Sequence, residues 1–322
     1  MDAFAAARLV IGTGFLAAAA VGDVRTRRVR DPLWIAMGTA GLVVLALDVA
    51  TSYGALTSNA AVGQWLVLAS AAILFYAVFY GKPILDEDGI HLRPIRILVL
   101  GAAAAAFFAG VLLPDPLKGM FLPCCVRIVP VVALASAPVL ILVYQGFYQL
   151  GLLRGGADAK AMVALAVLVP LYPDASPFPV LGLPANVQGT MQALFPFSLT
   201  VLVNAAILFL LVPLAYAVVN AVRRELEFPQ AFFGTKAPLD RLPPHVWLME
   251  RVDRQGERVA VLFPAHREDE SEEIAKLKAA GADRVWVQPK VPFMVPLLAG
   301  FLLAFFAGNL MLAFLTAVLP HP

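Results

Sequence analysis

Apolar runs of similar length, broken by short polar joints, make up most of the chain. Eight of them, at about 3–22, 32–50, 61–80, 97–113, 128–150, 158–172, 196–220 and 291–319, are predicted as helical spans. Most approach the roughly 20 residues that carry a helix across a bilayer. The sixth is short and ends in LVPLYPDASPFPVLGLPANV, whose prolines discourage continued helix. Short alternating segments of the kind a transmembrane β-barrel needs are not seen in the sequence. The pattern changes over 221–290. VNAVRRELEFPQAFFGTKAPLDRLPPH reads as a helix end and a Pro-punctuated linker. HVWLMERV and ERVAVLF read as strands with RQG between them, DESEEIAKLKAAG as a charged amphipathic helix closing on Gly281, and DRVWVQ as a third strand. The predicted architecture is an all-α polytopic membrane protein of about eight transmembrane helices, with a small cytosolic α/β module before the last helix. Its parts are a membrane core at 1–220 (about seven helices), the module at 221–290 and a C-terminal transmembrane helix at 291–319.

Composition agrees. The 322 residues are 61% hydrophobic and 14% charged, against about 25% charged in soluble domains. Net charge is +2, too small to point to nucleic acid. The distribution of charge matters more than its sum. With the N-terminus outside, 21 of the 24 basic residues fall in cytoplasmic segments, including Arg25, Arg27, Arg28, Arg30, Lys82, Arg93, Arg96, Arg154 and Lys160. The outward loops 51–60, 114–127 and 173–195 hold only Lys118 and Arg127. The start, MDAFAAAR, is nearly neutral, and its arginines follow the apolar run, which favours a retained first helix over a cleaved signal. The expected location is the cell membrane, multi-pass, in contact with the lipid bilayer.

Few residues offer chemistry. Cys124 and Cys125 are adjacent, with no CxxC and no Cys/His cluster, so neither a metal nor a redox cofactor is expected. None of the four histidines sits in HExxH, and neither GxSxG nor a P-loop occurs. That leaves acids at helix boundaries. Asp31, before Pro32, suits the N-cap of the second span. Asp86, Glu87 and Asp88 lie in a polar turn, and Asp48 falls near the outer end of its span as an interfacial residue. Asp23 ends the first span, where the helix dipole disfavours negative charge. Arg27, four residues on, offers it an ion pair. Asp158 in LLRGGADAKAM offers the same choice of readings: N-cap of the sixth span after a Gly155–Gly156 turn, or functional acid. If the first and sixth spans pack together, Asp23 and Asp158 meet on one membrane face. Two such carboxyls share a proton and can work as general acid and general base on a water molecule.

Two stretches also carry a resemblance. GDVRTRRVRDPLW (22–34) is similar to the D-x-R-x-x-x-[IV]-P-[ND] segment, and GGADAKAM (155–162) to the G-x-G-D-x-K segment, of the archaeal prepilin/preflagellin peptidases, GxGD-type membrane aspartic proteases of the type IV prepilin peptidase family. Asp23, Arg25, Val29 and Asp31 match the first, with Arg30 at the proline position. Gly155, Asp158 and Lys160 match the second, with Ala157 in place of a glycine. The resemblance covers roughly 1–220; the module and last span look like an extension seen in archaeal members. It implies an aspartic endopeptidase that removes the short basic leader from prepilin or archaellin precursors at the cytoplasmic face, with Asp23 and Asp158 catalytic. Gly155, Gly156, Ala157, Lys160, Arg25 and Arg27 would bind substrate or shape the site, and Asp86, Glu87 and Asp88 could attract the basic leader. Bacterial relatives add an N-methylation activity with a cysteine-bearing cytosolic segment; with no cytosolic cysteine here, cleavage alone is expected. Two alternatives stand beside this one. A multi-span transporter or channel would use the boundary acids as ion or proton sites, and a membrane scaffold would act through 221–290.

Overall fold

The computed structural model describes residues 1–52, 58–80, 85–86, 89–90, 93–113, 131–153, 155–170, 172–181, 195–253, 255–262 and 270–318. Arg154, Glu87, Asp88, Cys124 and Cys125 lie outside the described residues, as does the side chain of Asp86. Five helices are long and apolar enough to cross a membrane, or six if one bent pair counts as a single span. The expected count of eight is therefore not reached among the described residues.

The chain divides into two compact units, 1–205 with 293–322, and 206–292. In the first, α1 (Ala3–Thr26) starts at Asp2, whose carboxylate accepts from the Ala5 amide at 2.7 Å. Then come α2 (Asp31–Ser52), α3 (Ser58–Phe79), the two-residue strands β1 (Leu85–Asp86) and β2 (Gly89–Ile90), and α4 (Pro94–Leu112). The fifth predicted span begins among undescribed residues and continues as α5 (Val131–Leu134) and α6 (Ser136–Gln149). The sixth is α7 (Gly156–Leu168), only 13 residues long. At about 1.5 Å per residue it is too short to span the hydrocarbon layer. Its residues Ala161–Leu168 are fully buried, because α7 is apolar all round and lies among α2, α3, α6 and α1. Gly41 lets α2 come close: a methyl group there would lie 2.7 Å from the Leu168 Cα.

The seventh span is α8 (Phe197–Phe209) followed by α9 (Leu211–Val222), together long enough to cross. The last span differs from expectation. It is two helices, α11 (Met294–Phe306) and α12 (Leu310–Val318), bent by 58°. Asn204 holds both sides of the break: its Nδ2 donates to the Gly308 carbonyl at 2.8 Å and its Oδ1 accepts from the Leu310 amide at 3.1 Å. Backbone groups freed by the bend are thereby satisfied inside the protein, as a lipid setting demands.

The second unit contains a small antiparallel sheet in the order β3 (Thr235–Pro238), β7 (Arg284–Pro289), β4 (Val246–Leu248). A separate hairpin pairs β5 (Glu250–Val252) with β6 (Arg258–Ala260). HVWLMERV, read as one strand, is thus two, parted at Met249. The TKAP strand β3 falls in the stretch read as linker. Helix α10 (Glu270–Ala279) follows, and Gly281 beyond it has φ +73°, the left-handed turn expected of a glycine after a helix end.

Candidate active site

Helix α1 ends through its own backbone. Arg27 adopts φ 54°, ψ 25°, and its amide donates to the Asp23 carbonyl at 3.0 Å. This left-handed turn breaks the helical path that an i+4 pair needs. Arg27 makes no salt bridge to Asp23; its Nε and Nη1 are buried without hydrogen-bond partners among the described residues. The ion-pair reading of Asp23 therefore fails. Asp23 Oδ2 instead accepts from the Met294 amide at 3.3 Å, at the first turn of α11. A carboxylate placed unfavourably at one helix C-terminus is thus met by the positive N-terminal end of another. Arg25 is exposed in the last turn of α1.

The cap of α7 is Gly155, with extended backbone, and Asp158 is the third helical residue. The N-cap reading of Asp158 is therefore also corrected. Its amide donates to the Gly155 carbonyl at 3.0 Å. Its carboxylate lies back over the Gly155 Cα, so that a Cβ at 155 would overlap Asp158 Oδ2. A methyl group on Gly156 would make only ordinary contact, 3.6 Å from the Tyr148 hydroxyl. Ala157 packs half-buried against the main core. The two neighbouring glycines therefore have unequal duties, and only Gly155 needs to be small on account of the acid.

Helices α1 and α7 touch, and Asp158 feels the charge of Asp23. Both carboxylates are half-buried at a helix boundary.

Lys160 brings in a residue that sequence reasoning had given another task. Its Nζ donates to both oxygens of Asp31, at 2.6 and 2.8 Å. The side chains are 30% and 48% exposed, so the pair is worth about 0–1 kcal/mol to stability. Asp31 opens α2 as its first helical residue, and what its carboxylate accepts is the lysine on α7. Lys160 also lies 5.9 Å from the Phe79 ring centroid and, with Arg96, Gln145, Tyr148 and Gln149, edges a cavity of about 430 Å³.

Asp48 is corrected as well. It is buried, not interfacial, and pairs with Arg8 at 2.8 Å, both side chains 5% exposed. Among the described residues no group of three or more His, Cys, Asp or Glu side chains could hold a metal ion.

Comparison with known families now bears on the geometry. Residues 227–310 match the family described as Archaeal Peptidase A24 C-terminus Type II. The match supports an archaeal prepilin peptidase family member. The match points to a peptidase, and the several apolar helices suggest a multi-pass membrane protein. A search of curated proteins finds no match.

The matched stretch runs from Glu227 through β3–β7 and α11 to Leu310. It therefore includes Met294, the backbone donor to Asp23, which no side-chain motif could have announced. It also includes a polar cluster within the second unit. Glu227 accepts from Lys236 Nζ at 2.5 Å and from the Trp286 indole N–H at 2.9 Å. Lys236 first, and the indole after it, hold the Glu227 carboxyl below its ordinary range. Glu250 accepts from the Trp286 amide at 2.8 Å and from Arg258. These bonds fasten β5 and the segment before β3 to β7.

Proposed function

We propose that the chain is a membrane aspartic endopeptidase that removes the short basic leader from type IV pilin-like or archaellin precursors, cutting at the cytoplasmic edge of the precursor's apolar helix. Asp23 and Asp158 form the catalytic pair. The ionised carboxylate takes a proton from a water molecule. The protonated one gives its proton to the scissile carbonyl oxygen as the water oxygen attacks the carbon. Collapse of the tetrahedral intermediate breaks the C–N bond. The leader keeps a new carboxyl end, and the mature protein receives a proton and a new amino end. Gly155, Gly156 and Ala157 shape the turn beneath Asp158, and Arg25 and Arg27 line the approach from α1. Residues 1–220 act as the peptidase core, 221–290 as a cytosolic module and 291–319 as the closing span, with the N-terminus outside.

What supports this reading is the contact between α1 and α7, which carry Asp23 in the last turns of one helix and Asp158 in the first turn of the other. The family match at 227–310 supports the peptidase class, and the cytoplasmic placement of 21 of the 24 basic residues supports the orientation. The test is processing of a co-expressed prepilin or archaellin precursor. Asp23→Asn and Asp158→Asn should each abolish cleavage while the protein still inserts. Near-normal cleavage by either variant would end the proposal.

One observation favours the transporter reading. The last span is broken, and discontinuous helices supply ion sites in many transporters. Here the groups at the break are already taken up by Asn204, which leaves them little to offer an ion. Ion flux in proteoliposomes unaffected by Asp158→Asn would reverse this judgement.

A further inference from the structure

The Asp31–Lys160 pair joins the two stretches that contain the acids. Asp31 lies eight residues after Asp23, past the left-handed turn at Arg27, and Lys160 lies two residues after Asp158 on the first turns of α7. Along the chain the acids are 135 residues apart. Across the ion pair, the path from one to the other is the turn 24–30, one salt bridge, and Ala159. The fork geometry, with one ammonium on both carboxylate oxygens, fixes the start of α2 against α7. Close approach at Gly41 and Leu168 fixes the far end of the same seam. The pair lies at the rim, exposed enough that it adds little to folding. Its geometric consequence for the acids is larger, because errors of about 1 Å in catalytic groups can cost on the order of 10²-fold in rate.

We infer that Lys160 and Asp31 are positioning residues: a latch that sets the separation of Asp23 and Asp158, with Lys160 serving Asp31 rather than the substrate. The inference rests on the peptidase reading only for its activity readout. The latch also corrects the view of Asp31 as a local helix cap.

The experiment uses the full chain in detergent and a purified precursor. Six variants are compared with wild type: Lys160→Met, Asp31→Asn, Lys160→Arg, the single reversals Lys160→Asp and Asp31→Lys, and the exchanged pair that combines these two reversals. The two neutral variants should lose kcat by about tenfold or more, with KM near wild type and thermal midpoint unchanged, since misplaced catalytic groups cost rate without costing a rim pair's small stability. Lys160→Arg should keep most of the activity, and the exchanged pair should recover much of what either single reversal loses. An effect on KM alone, or an exchanged pair no better than its single reversals, would overturn the latch. A second measurement does not depend on cleavage. Asp23→Cys and Asp158→Cys, in a Cys124→Ser/Cys125→Ser background, are joined with a short thiol cross-linker. Cross-linking should drop when Asp31→Asn is added and return with the exchanged pair; indifference to Asp31→Asn would refute the latch. If wild type leaves every precursor uncut, the peptidase reading falls, and the cross-linking result still decides the latch.

Discussion

The amide of Met294 donates to Oδ2 of Asp23, so the first turn of the last span meets an acid at the end of the first. Hydrogen bonds to charged groups contribute about 1.5–3 kcal/mol, and at 3.3 Å this one belongs at the lower end, close to tenfold in rate. Met294→Pro removes the donor, and it also removes a buried side chain and disfavours the αR backbone of Phe293 before it, so about tenfold is the least loss to expect. We expect processing to slow at least roughly tenfold, with Met294→Leu, which keeps the amide and most of the buried volume, near wild type. Initial rates on a purified precursor measure both.

The neighbouring glycines should separate cleanly. Gly155→Ala puts a methyl group into the Asp158 carboxylate, and displacement of that group should cost on the order of 10²-fold in cleavage. Gly156→Ala meets only the Tyr148 ring edge at ordinary distance and should cleave nearly as wild type does. Equal losses in the two variants, measured in the same assay, would contradict the geometry.

Burial of the Arg8–Asp48 pair makes its two halves interdependent. Asp48→Asn strands the Arg8 charge and should destabilise the protein by about 3–5 kcal/mol. Replacing both together, Arg8→Met with Asp48→Leu, should cost less than either change alone. Thermal unfolding in detergent compares the three.

In the second unit, the Glu227 carboxyl is held below its ordinary 4.5. Its contribution to stability is therefore complete above that value and is lost as pH falls through the lower value of the folded state. Glu227→Gln should flatten the acid limb of a tryptophan-fluorescence titration of the full chain, through the loss of the bond to the Trp286 indole. An acid limb identical to wild type would place the pH sensitivity elsewhere.

The sequence made the two acids visible because a charge at an apolar helix boundary stands out against its surroundings. It could not show what lies against them. Asp31 carries a strong local signal, aspartate before proline, and that signal concealed a partner 129 residues away. The Met294 donor is a backbone group with no signature of its own. Asp48 looked interfacial because its partner Arg8 sits on another span, and only packing reveals that the two face each other. The α1–α4 runs were legible from length and hydropathy alone. The short α7 and the break between α11 and α12 were not, since apolar composition does not tell a buried segment from one that crosses the bilayer. β3 is four residues ending in proline, too brief to leave a period.

Seen from Asp158, the enclosure of α7 limits the routes of entry. From Ala161 to Leu168 no atom of that helix faces outward, so a long apolar guest cannot slide along its flank from within the membrane. Of this helix, only the first turn, where Gly156, Ala157 and Asp158 are half-buried, offers a face to a visiting chain.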